Sequence, residues 1–575
     1  MVPLLVTRMP GCPLDCGNVT HKSENIMTKM TGGEAIIESV VANGVDTIFG
    51  IPGAQIYPLF DGIYKHKLNL IVPRHEQAAA YMAMGYAKSS GKTGTFAVVP
   101  GPGILNTTAA LCTAMGNCSP VVGLTGQIPS SFVGKGRGHL HELSDQTGTL
   151  KSIIKDAFSI ADPQQTEAVV NQAYATVARG RPGPVTLEMC WDIMAAQAEV
   201  ELPATVVPAT DTVDVDPDSL AAATRMIVQA RKPMIMCGAG ALHAAEEVRA
   251  LAELLNAPVT AFRSGRGVVS EDHPLGLSAV AARQLWDDCD LLIGIGSRLE
   301  MPYMRWGNYM QYESKPSSGP KLIRIDIDPG QMETFIPDLG IIGDAAHVCR
   351  QLVDQLQTKV SPDPDRLDDI AGAKAVAWQA LQKVQPQMAY LDVIRQVLPR
   401  DGFYVPELSQ MGFTTWIGGL PVYQPRTFVD SGYQGTLGYG FPTALGVKVA
   451  NPDKAVVSVC GDGGFMFGVQ ELMTAVEFNI GVVTIVVNNH SYGNVRRDQE
   501  MGYGGRFCGS ELRTPDFVKM AESFGARGYR VGTPAELKPI LAKCIELDQP
   551  CLIEIQSERG QESSPWEFIH PQGTL

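Results

Sequence analysis

No apolar stretch in the 575-residue chain approaches the roughly 20 residues that a membrane-crossing helix needs; Ile480–Val487 is typical of the longest. Positive charge is in short supply. Lys and Arg number 46 against 60 Asp and Glu, a formal net charge of −14, which argues against nucleic acid and anionic membrane surfaces as partners. Charged residues make up only 18% and hydrophobic residues 45%, with no long biased tract, so the chain can bury a large core and does not read as disordered. A short-period repeat is missing, which excludes a solenoid. The twelve cysteines form no disulfide framework: Cys112, Cys237 and Cys460 sit inside apolar runs, as reduced thiols of a cytoplasmic protein do. Cys12 and Cys16 have the spacing of a metal half-site, but no second Cys or His pair stands nearby, and no zinc is expected there. The opening residues lack the lysine-led apolar segment and small-residue cleavage site of a secretory signal, and residues 1–29 are expected to be a disordered tail.

What the chain does have is a βα rhythm. Strand-like Thr47–Phe49 runs into Gly50-Ile-Pro52-Gly53, Thr95–Val99 into Gly101-Pro-Gly103, and Val121–Leu124 into Thr125-Gly-Gln127. Glycine-rich turns after apolar strands, with helical periodicity between them, predict parallel sheets covered by helices. The length exceeds what one hydrophobic core serves. The pattern divides into three α/β domains at 30–198, 217–360 and 380–575, joined by a Pro/Val/Thr-rich linker at 199–216 and a second linker at 361–379.

The strongest local signal is Gly461-Asp462-Gly463-Gly464, directly after the apolar run Ala455–Cys460, with Asn488-Asn489 ending the next strand; Asp462 and Asn489 are 489 − 462 = 27 residues apart. Successive parallel strands place their C-terminal ends side by side, where open α/β sheets bind ligands. A carboxylate and an amide oxygen are hard donors that suit Mg²⁺, which takes its remaining ligands from water or a diphosphate. The glycines admit close approach of phosphates. The same residues would also serve as a plain βα turn with a capping Asp and a strand-ending Asn pair.

From about Met30 to Phe568 the chain resembles the thiamine diphosphate enzymes of the acetohydroxyacid synthase, pyruvate oxidase and 2-oxo acid decarboxylase group. The resemblance rests on Gly461-Asp462-Gly463 to Asn488-Asn489, and on Pro73-Arg-His-Glu76-Gln-Ala-Ala-Ala followed by Gly85-Tyr-Ala87. It implies a pyrimidine-binding, a middle and a diphosphate-binding domain. It also implies thiamine diphosphate and Mg²⁺ as cofactors, with Asp462, Asn489 and the carbonyl of Ser491 on the metal and Gly461, Gly463, Gly464 and Tyr492 around the diphosphate. Glu76 takes the place of the catalytic glutamate. A carboxylic acid hydrogen-bonded to the aminopyrimidine nitrogen favours the imino form that can take the thiazolium C2 proton, and a dry site raises its pKa to suit. By the same resemblance Gly432-Tyr-Gln-Gly-Thr-Leu437-Gly438-Tyr-Gly440 supports the bent cofactor, with Leu437 between its rings or simply in the core. Gly50, Pro52 and Gly53 form the loop that reaches cofactor and substrate, and Gln127 stands beside the reacting carbon. The site is implied to be shared between subunits of a homodimer or homotetramer.

Past Gln127 the chain reads Val133-Gly-Lys-Gly-Arg-Gly-His139-Leu-His141-Glu142, which offers His139 and His141 for proton transfer or, alternatively, forms a solvated basic loop loosened by glycines. Two departures from the family pattern concern substrate choice. Acetohydroxyacid synthases carry a Met and a Trp after the asparagines, whereas this chain has Tyr492-Gly-Asn494-Val-Arg496-Arg497-Asp498, a more polar wall. Their carboxylate-clamping middle-domain arginine falls near Pro302, with Arg298 and Arg305 as neighbours. These departures speak against acetolactate synthesis. FAD is expected to be absent or dispensable, because Leu277–Trp286 carries bulky side chains where flavin-holding members have glycines, and the Gly238-Ala-Gly240 turn breaks off at Ala241-Leu-His243. The expected function is decarboxylation of a small 2-oxo acid with transfer of the carbanion to a proton or carbonyl acceptor. A C–C bond lyase acting on a 2-hydroxy ketone or 2-hydroxyacyl-CoA is the alternative within the class, and a flavin-linked oxidoreductase the one outside it.

Overall fold

The computed structural model describes residues 27–203, 214–306 and 319–571. Cys12, Cys16, most of the expected tail and the middle of the first expected linker lie outside the described residues. The first helix, Gly32–Ala42, shows how local sequence sets an element: Thr31 and Glu34 form a reciprocal capping box, and Ile36, Ile37 and Val40 turn inward. Before it runs β1 (Met27–Thr31), antiparallel to β8 (Gln197–Glu201), with Met27 opposite Glu201. That pairing corrects the expected boundaries: residues 27–29 are a strand and not tail, and 199–201 are a strand and not linker.

Between them lies the first parallel sheet, order β3-β2-β4-β5-β7-β6, built from β2 (Thr47–Gly50), β3 (Asn69–Ile71), β4 (Gly94–Val98), β5 (Val121–Gln127), β6 (Asp156–Ile160) and β7 (Val185–Cys190). The chain passes from β2 to one side and returns for β4 on the other, so the crevice between their C-terminal ends is a switch point of the kind that binds ligands. The second sheet, order β11-β10-β9-β12-β13-β14, comprises β9 (Pro233–Cys237), β10 (Val259–Ala261), β11 (Gly276–Leu277), β12 (Leu291–Ile295), β13 (Lys321–Asp326) and β14 (Leu339–Ile342). The third, order β15-β16-β17-β19-β18, comprises β15 (Phe403–Pro406), β16 (Val456–Gly461), β17 (Val482–Asn488), β18 (Arg527–Val531) and β19 (Cys551–Gln556). All three are parallel, with helices between successive strands. Strands such as β17, buried at every residue, are accordingly Val/Ile-rich, interrupted only by Thr484 before the closing Asn488, and do not alternate.

The segment expected as a linker at 361–379 is mostly helix, Arg366–Leu381, which buries Ile370, Ala373, Ala377 and Leu381 along one stripe. Its Pro/Asp-rich approach and the two alanines in the stripe give it a weak apolar signature. The first and third domains join through helices Glu76–Ser90 and Gly440–Ala450. Glycine makes this contact possible: a Cβ on Gly85 would stand 2.1 Å from the Thr443 carbonyl oxygen, and one on Gly446 would stand 1.9 Å from that of Met82. Among the described residues no helix is long and apolar enough to cross a membrane.

Candidate active site

In the third domain β16 pairs with β17 in parallel register, Gly461 opposite Val487, so Asp462 and Asn489 emerge at one edge. Asp462 opens the single helical turn Asp462–Phe465 and is 1% exposed. Its Oδ1 accepts from the Gly463 N–H at 2.8 Å, while its Oδ2 is buried without a hydrogen-bond partner. Burial pushes this carboxyl above the usual range, opposed by the nearby N–H groups of Gly463, His490 and Ser491. An unpartnered buried oxygen costs about 1–3 kcal/mol, more when charged, and a cation beside it would remove that cost.

Asn489 is buried on the same edge; its Oδ1 accepts from the Ser491 N–H at 3.0 Å and from Ser491 Oγ at 2.9 Å. The Tyr492 ring covers Gly463, where a Cβ would meet Tyr492 Cε1 at 2.4 Å, and a Cβ on Gly464 would meet the Glu407 side chain at 3.0 Å. Hard oxygens on two strand ends, beside a turn whose glycines leave the backbone bare, fit a small dication carrying a diphosphate.

Sequence reasoning missed Glu407, one residue past β15. It is 1% exposed and has no cationic partner among the described residues; Oε1 accepts from the Gly438 N–H and Oε2 from the Gly440 N–H, each at 2.8 Å. These bonds fix the turn that presents Leu437, with Gly438 at φ +81°. Leu437 is half-buried and not core. The available signal was a glutamate ending the apolar run Phe403–Pro406.

Burial raises the Glu407 carboxyl to about 7, even against its backbone donors. The folded chain therefore keeps a proton that the unfolded chain loses near its ordinary value of 4.5, so Glu407 lowers stability as pH rises from 4.5 to about 7. The expected loss relative to Glu407→Gln is about 3 kcal/mol, from 1.36 kcal/mol per pKa unit. Urea unfolding of the cofactor-free wild type and variant at stepped pH measures it; a stability difference that stays constant from pH 4.5 to 7.5 would refute the assignment.

The first domain places its residues around the crevice between β2 and β4. Gly50, Pro52 and Gly53 leave the end of β2, and Val99 fills the gap between Gly53 and Gly103: a Cβ on either glycine would strike it, at 2.2 and 2.6 Å. Glu76 begins the long helix Glu76–Ser90, capped by His75, whose Nδ1 accepts from the Gln77 N–H. It is half-buried, and its Oε2 accepts from Asn106 Nδ2 at 3.0 Å. Gln127 is buried at the end of β5, its Oε1 accepting from the Ile128 N–H at 2.8 Å.

The histidine loop returns to the same face. Gln55, also missed in the sequence, donates to the Leu140 carbonyl at 2.7 Å and pairs its Oε1 with His141 Nδ1. His141 adopts φ +66°, with its carbonyl against Gly101. The His139 ring packs on Phe132 at 5.1 Å, and its buried Nδ1 has no hydrogen-bond partner. Among the described residues no hydrogen bond joins Glu76, Gln127 or this loop to the Asp462–Asn489 edge.

Beyond Tyr492 the polar wall is organised. Asn494 donates to Asp498 Oδ2 at 3.2 Å and accepts from Trp566 Nε1 at 2.6 Å, Arg497 pairs with Asp498 at 2.8 Å, and the buried Gln410 Oε1 beside them has no hydrogen-bond partner. In the middle domain Arg298 stacks on Tyr433 at 3.9 Å, and Arg305 pairs with Glu300 at 2.8 Å. In the Gly238-Ala-Gly240 turn a Cβ on Gly238 would stand 2.2 Å from the Gly296 carbonyl oxygen, while Ala239, Gly240 and His243 line a cavity shared with Ser297 and Asp344.

Three family profiles match in order: thiamine pyrophosphate enzyme, N-terminal TPP binding domain, at residues 30–149; its central domain at 220–352; and its C-terminal TPP binding domain at 410–555. The chain is 34% identical over 574 residues to a probable acetolactate synthase large subunit of Methanocaldococcus jannaschii, covering 95% of this chain and 94% of that one. It is 30% identical to the acetolactate synthase large subunit of Haemophilus influenzae, covering 94% and 97% of the two chains. It is also 32% identical over 504 residues to a probable 2-ketoarginine decarboxylase of Pseudomonas aeruginosa, covering 86% and 88%.

Proposed function

The chain belongs to the thiamine pyrophosphate enzyme family, and we propose that it decarboxylates a 2-oxo acid and passes the remaining fragment to a proton or a carbonyl acceptor. The observation that carries this reading is the Asp462–Asn489 edge, where a buried carboxylate oxygen without a donor stands at a glycine turn. Asp462, Asn489 and the Ser491 carbonyl would hold Mg²⁺, with Gly461, Gly463 and Gly464 leaving room for the diphosphate. Thiamine diphosphate supplies the nucleophilic carbon and the electron sink. Glu407 holds the Leu437 turn in place, and Glu76 shares a proton with the aminopyrimidine nitrogen. Gln127 orients the substrate, and His139 and His141, held over the β2–β4 crevice, exclude water and relay a proton at their ring nitrogens.

By the family resemblance, the working site is composed by two copies of the chain, with Glu76 from one and Asp462 from the other. The absent Met and Trp, with Asn494 and Asp498 in their places, favour a substrate with a polar chain over acetolactate synthesis, in keeping with the name of the decarboxylase relative. Bulky side chains along Leu277–Trp286, where flavin-holding members have glycines, support activity without FAD. The cysteines in the described residues are all free, which supports a cytoplasmic location. Domain limits of 30–198, 217–360 and 380–575 accompany this reading, adjusted for the strands at 27–29 and 199–201 and for the helix from Arg366.

The test is to incubate protein reconstituted with thiamine diphosphate and Mg²⁺ with a panel of 2-oxo acids, pyruvate and the oxo acid of arginine included, scoring CO₂ and identifying products by NMR. Release of CO₂ from at least one is expected. Bound cofactor with no CO₂ from any 2-oxo acid, but with cleavage of a 2-hydroxy ketone or 2-hydroxyacyl-CoA, would replace this reading by the C–C lyase.

A further inference from the structure

The segment after β19 is fastened along the loop that leaves β17. Ser557 N–H donates to the Asn488 carbonyl at 3.0 Å, Arg559 to that of His490 at 2.9 Å, and Trp566 Nε1 to Asn494 Oδ1 at 2.6 Å. Between these ties, Glu562 Oε2 accepts from Asn489 Nδ2. Farther along, Ser563 N–H donates to the Gln385 carbonyl at 2.9 Å, so the segment is held from outside the loop as well.

The Asn489 amide has one donor end and one acceptor end, and its neighbours leave a single orientation. The carboxylate of Glu562 accepts only, so it needs the NH₂ end; the Ser491 N–H donates only, so it needs the oxygen end. Without Glu562 the orientation would rest on the Ser491 bonds alone, and a turned-over amide would offer the cation NH₂. We propose that Glu562 is a positioning residue for the metal: its carboxylate pins the Asn489 NH₂ group and keeps the amide oxygen on the cation side. This makes the C-terminal segment part of the cofactor-holding apparatus. The inference rests on the reading of Asp462 and Asn489 as Mg²⁺ ligands. Outer-shell partners that orient a metal ligand usually affect metal affinity by about 10–100-fold.

The experiment is calorimetric titration of thiamine diphosphate into the full-length protein at graded Mg²⁺. Glu562→Ala is expected to raise the Mg²⁺ concentration for half-maximal binding by about 10–100-fold. Glu562→Gln, whose side-chain oxygen still accepts from Asn489, is expected to stay within about threefold of wild type. Wild-type Mg²⁺ dependence in Glu562→Ala overturns the proposal, as does a Gln variant as weak as the Ala variant. Should Glu562→Ala lose its folded circular dichroism, Glu562→Met keeps the length without an acceptor and takes its place. Asp462→Ala, run alongside, separates the two levels: unchanged Mg²⁺-dependent binding there removes the metal reading itself, whereas loss there with an intact Glu562→Ala removes only the role of Glu562.

Discussion

Asp462→Ala is expected to bind thiamine diphosphate roughly 10³-fold more weakly than wild type in Mg²⁺-containing buffer, because it removes a buried carboxylate oxygen that has no hydrogen-bond partner at the glycine turn. Taking one partner from a buried charge pair costs about 3–5 kcal/mol, and each 1.36 kcal/mol is a factor of ten. The remaining donors, the Asn489 amide and a backbone carbonyl, are neutral and cannot offset two charges on the ion. The cofactor-free fold is expected to survive. Asp462 makes one hydrogen bond, to the adjacent Gly463 N–H, and the variant relieves a buried oxygen that now has no partner. Isothermal calorimetry with and without EDTA measures the effect. Cofactor affinity within a factor of three of wild type, with the same EDTA sensitivity, would move the metal elsewhere.

The Asp462–Asn489 edge was legible in the sequence because its placement follows from a rule about neighbours. Consecutive parallel strands bring their ends together, and the register of Gly461 against Val487 does so here. Glu407 follows no such rule. Its partners lie 31 and 33 residues later in a glycine-rich turn, and nothing in either segment marks them as complementary before the chain is folded. Glu562 is farther still, 73 residues from Asn489, in a polar stretch that reads as tail. The β1–β8 pairing failed to show for the same reason: Met27 meets Glu201 across the whole first domain. Helix Arg366–Leu381 was missed for a local reason, since alanines at Ala373 and Ala377 serve a close helix packing without a strong apolar signal. Gly85 and Gly446 resisted a different inference. Their role is the approach of two helices from different domains, which one helix taken alone does not reveal.

Glu76→Gln should separate cofactor binding from cofactor activation. The side chain stands at the first turn of its helix, bonded to Asn106, in a different domain from the Asp462–Asn489 edge, so the variant is expected to bind thiamine diphosphate and Mg²⁺ within about threefold of wild type. Glutamine keeps the shape and the contact with Asn106 but has no acidic proton to share with the ring nitrogen. Exchange of the C2 proton of bound thiamine, followed by NMR after rapid quenching, is expected to slow roughly 10³-fold, within the range that loss of an acid–base group usually produces. An unchanged exchange rate would remove Glu76 from the chemistry. The same variant tests how Glu76 and Asp462 combine. If the site forms between copies of the chain, a hybrid of Glu76→Gln with Asp462→Ala subunits contains one wild-type site built from the intact Glu76 of one subunit and the intact Asp462 of the other. Mixing two inactive proteins should then restore a fraction of wild-type activity. If instead both residues act within one chain, every site in the hybrid carries a defect, and verified subunit exchange will leave the mixture as inactive as its parts.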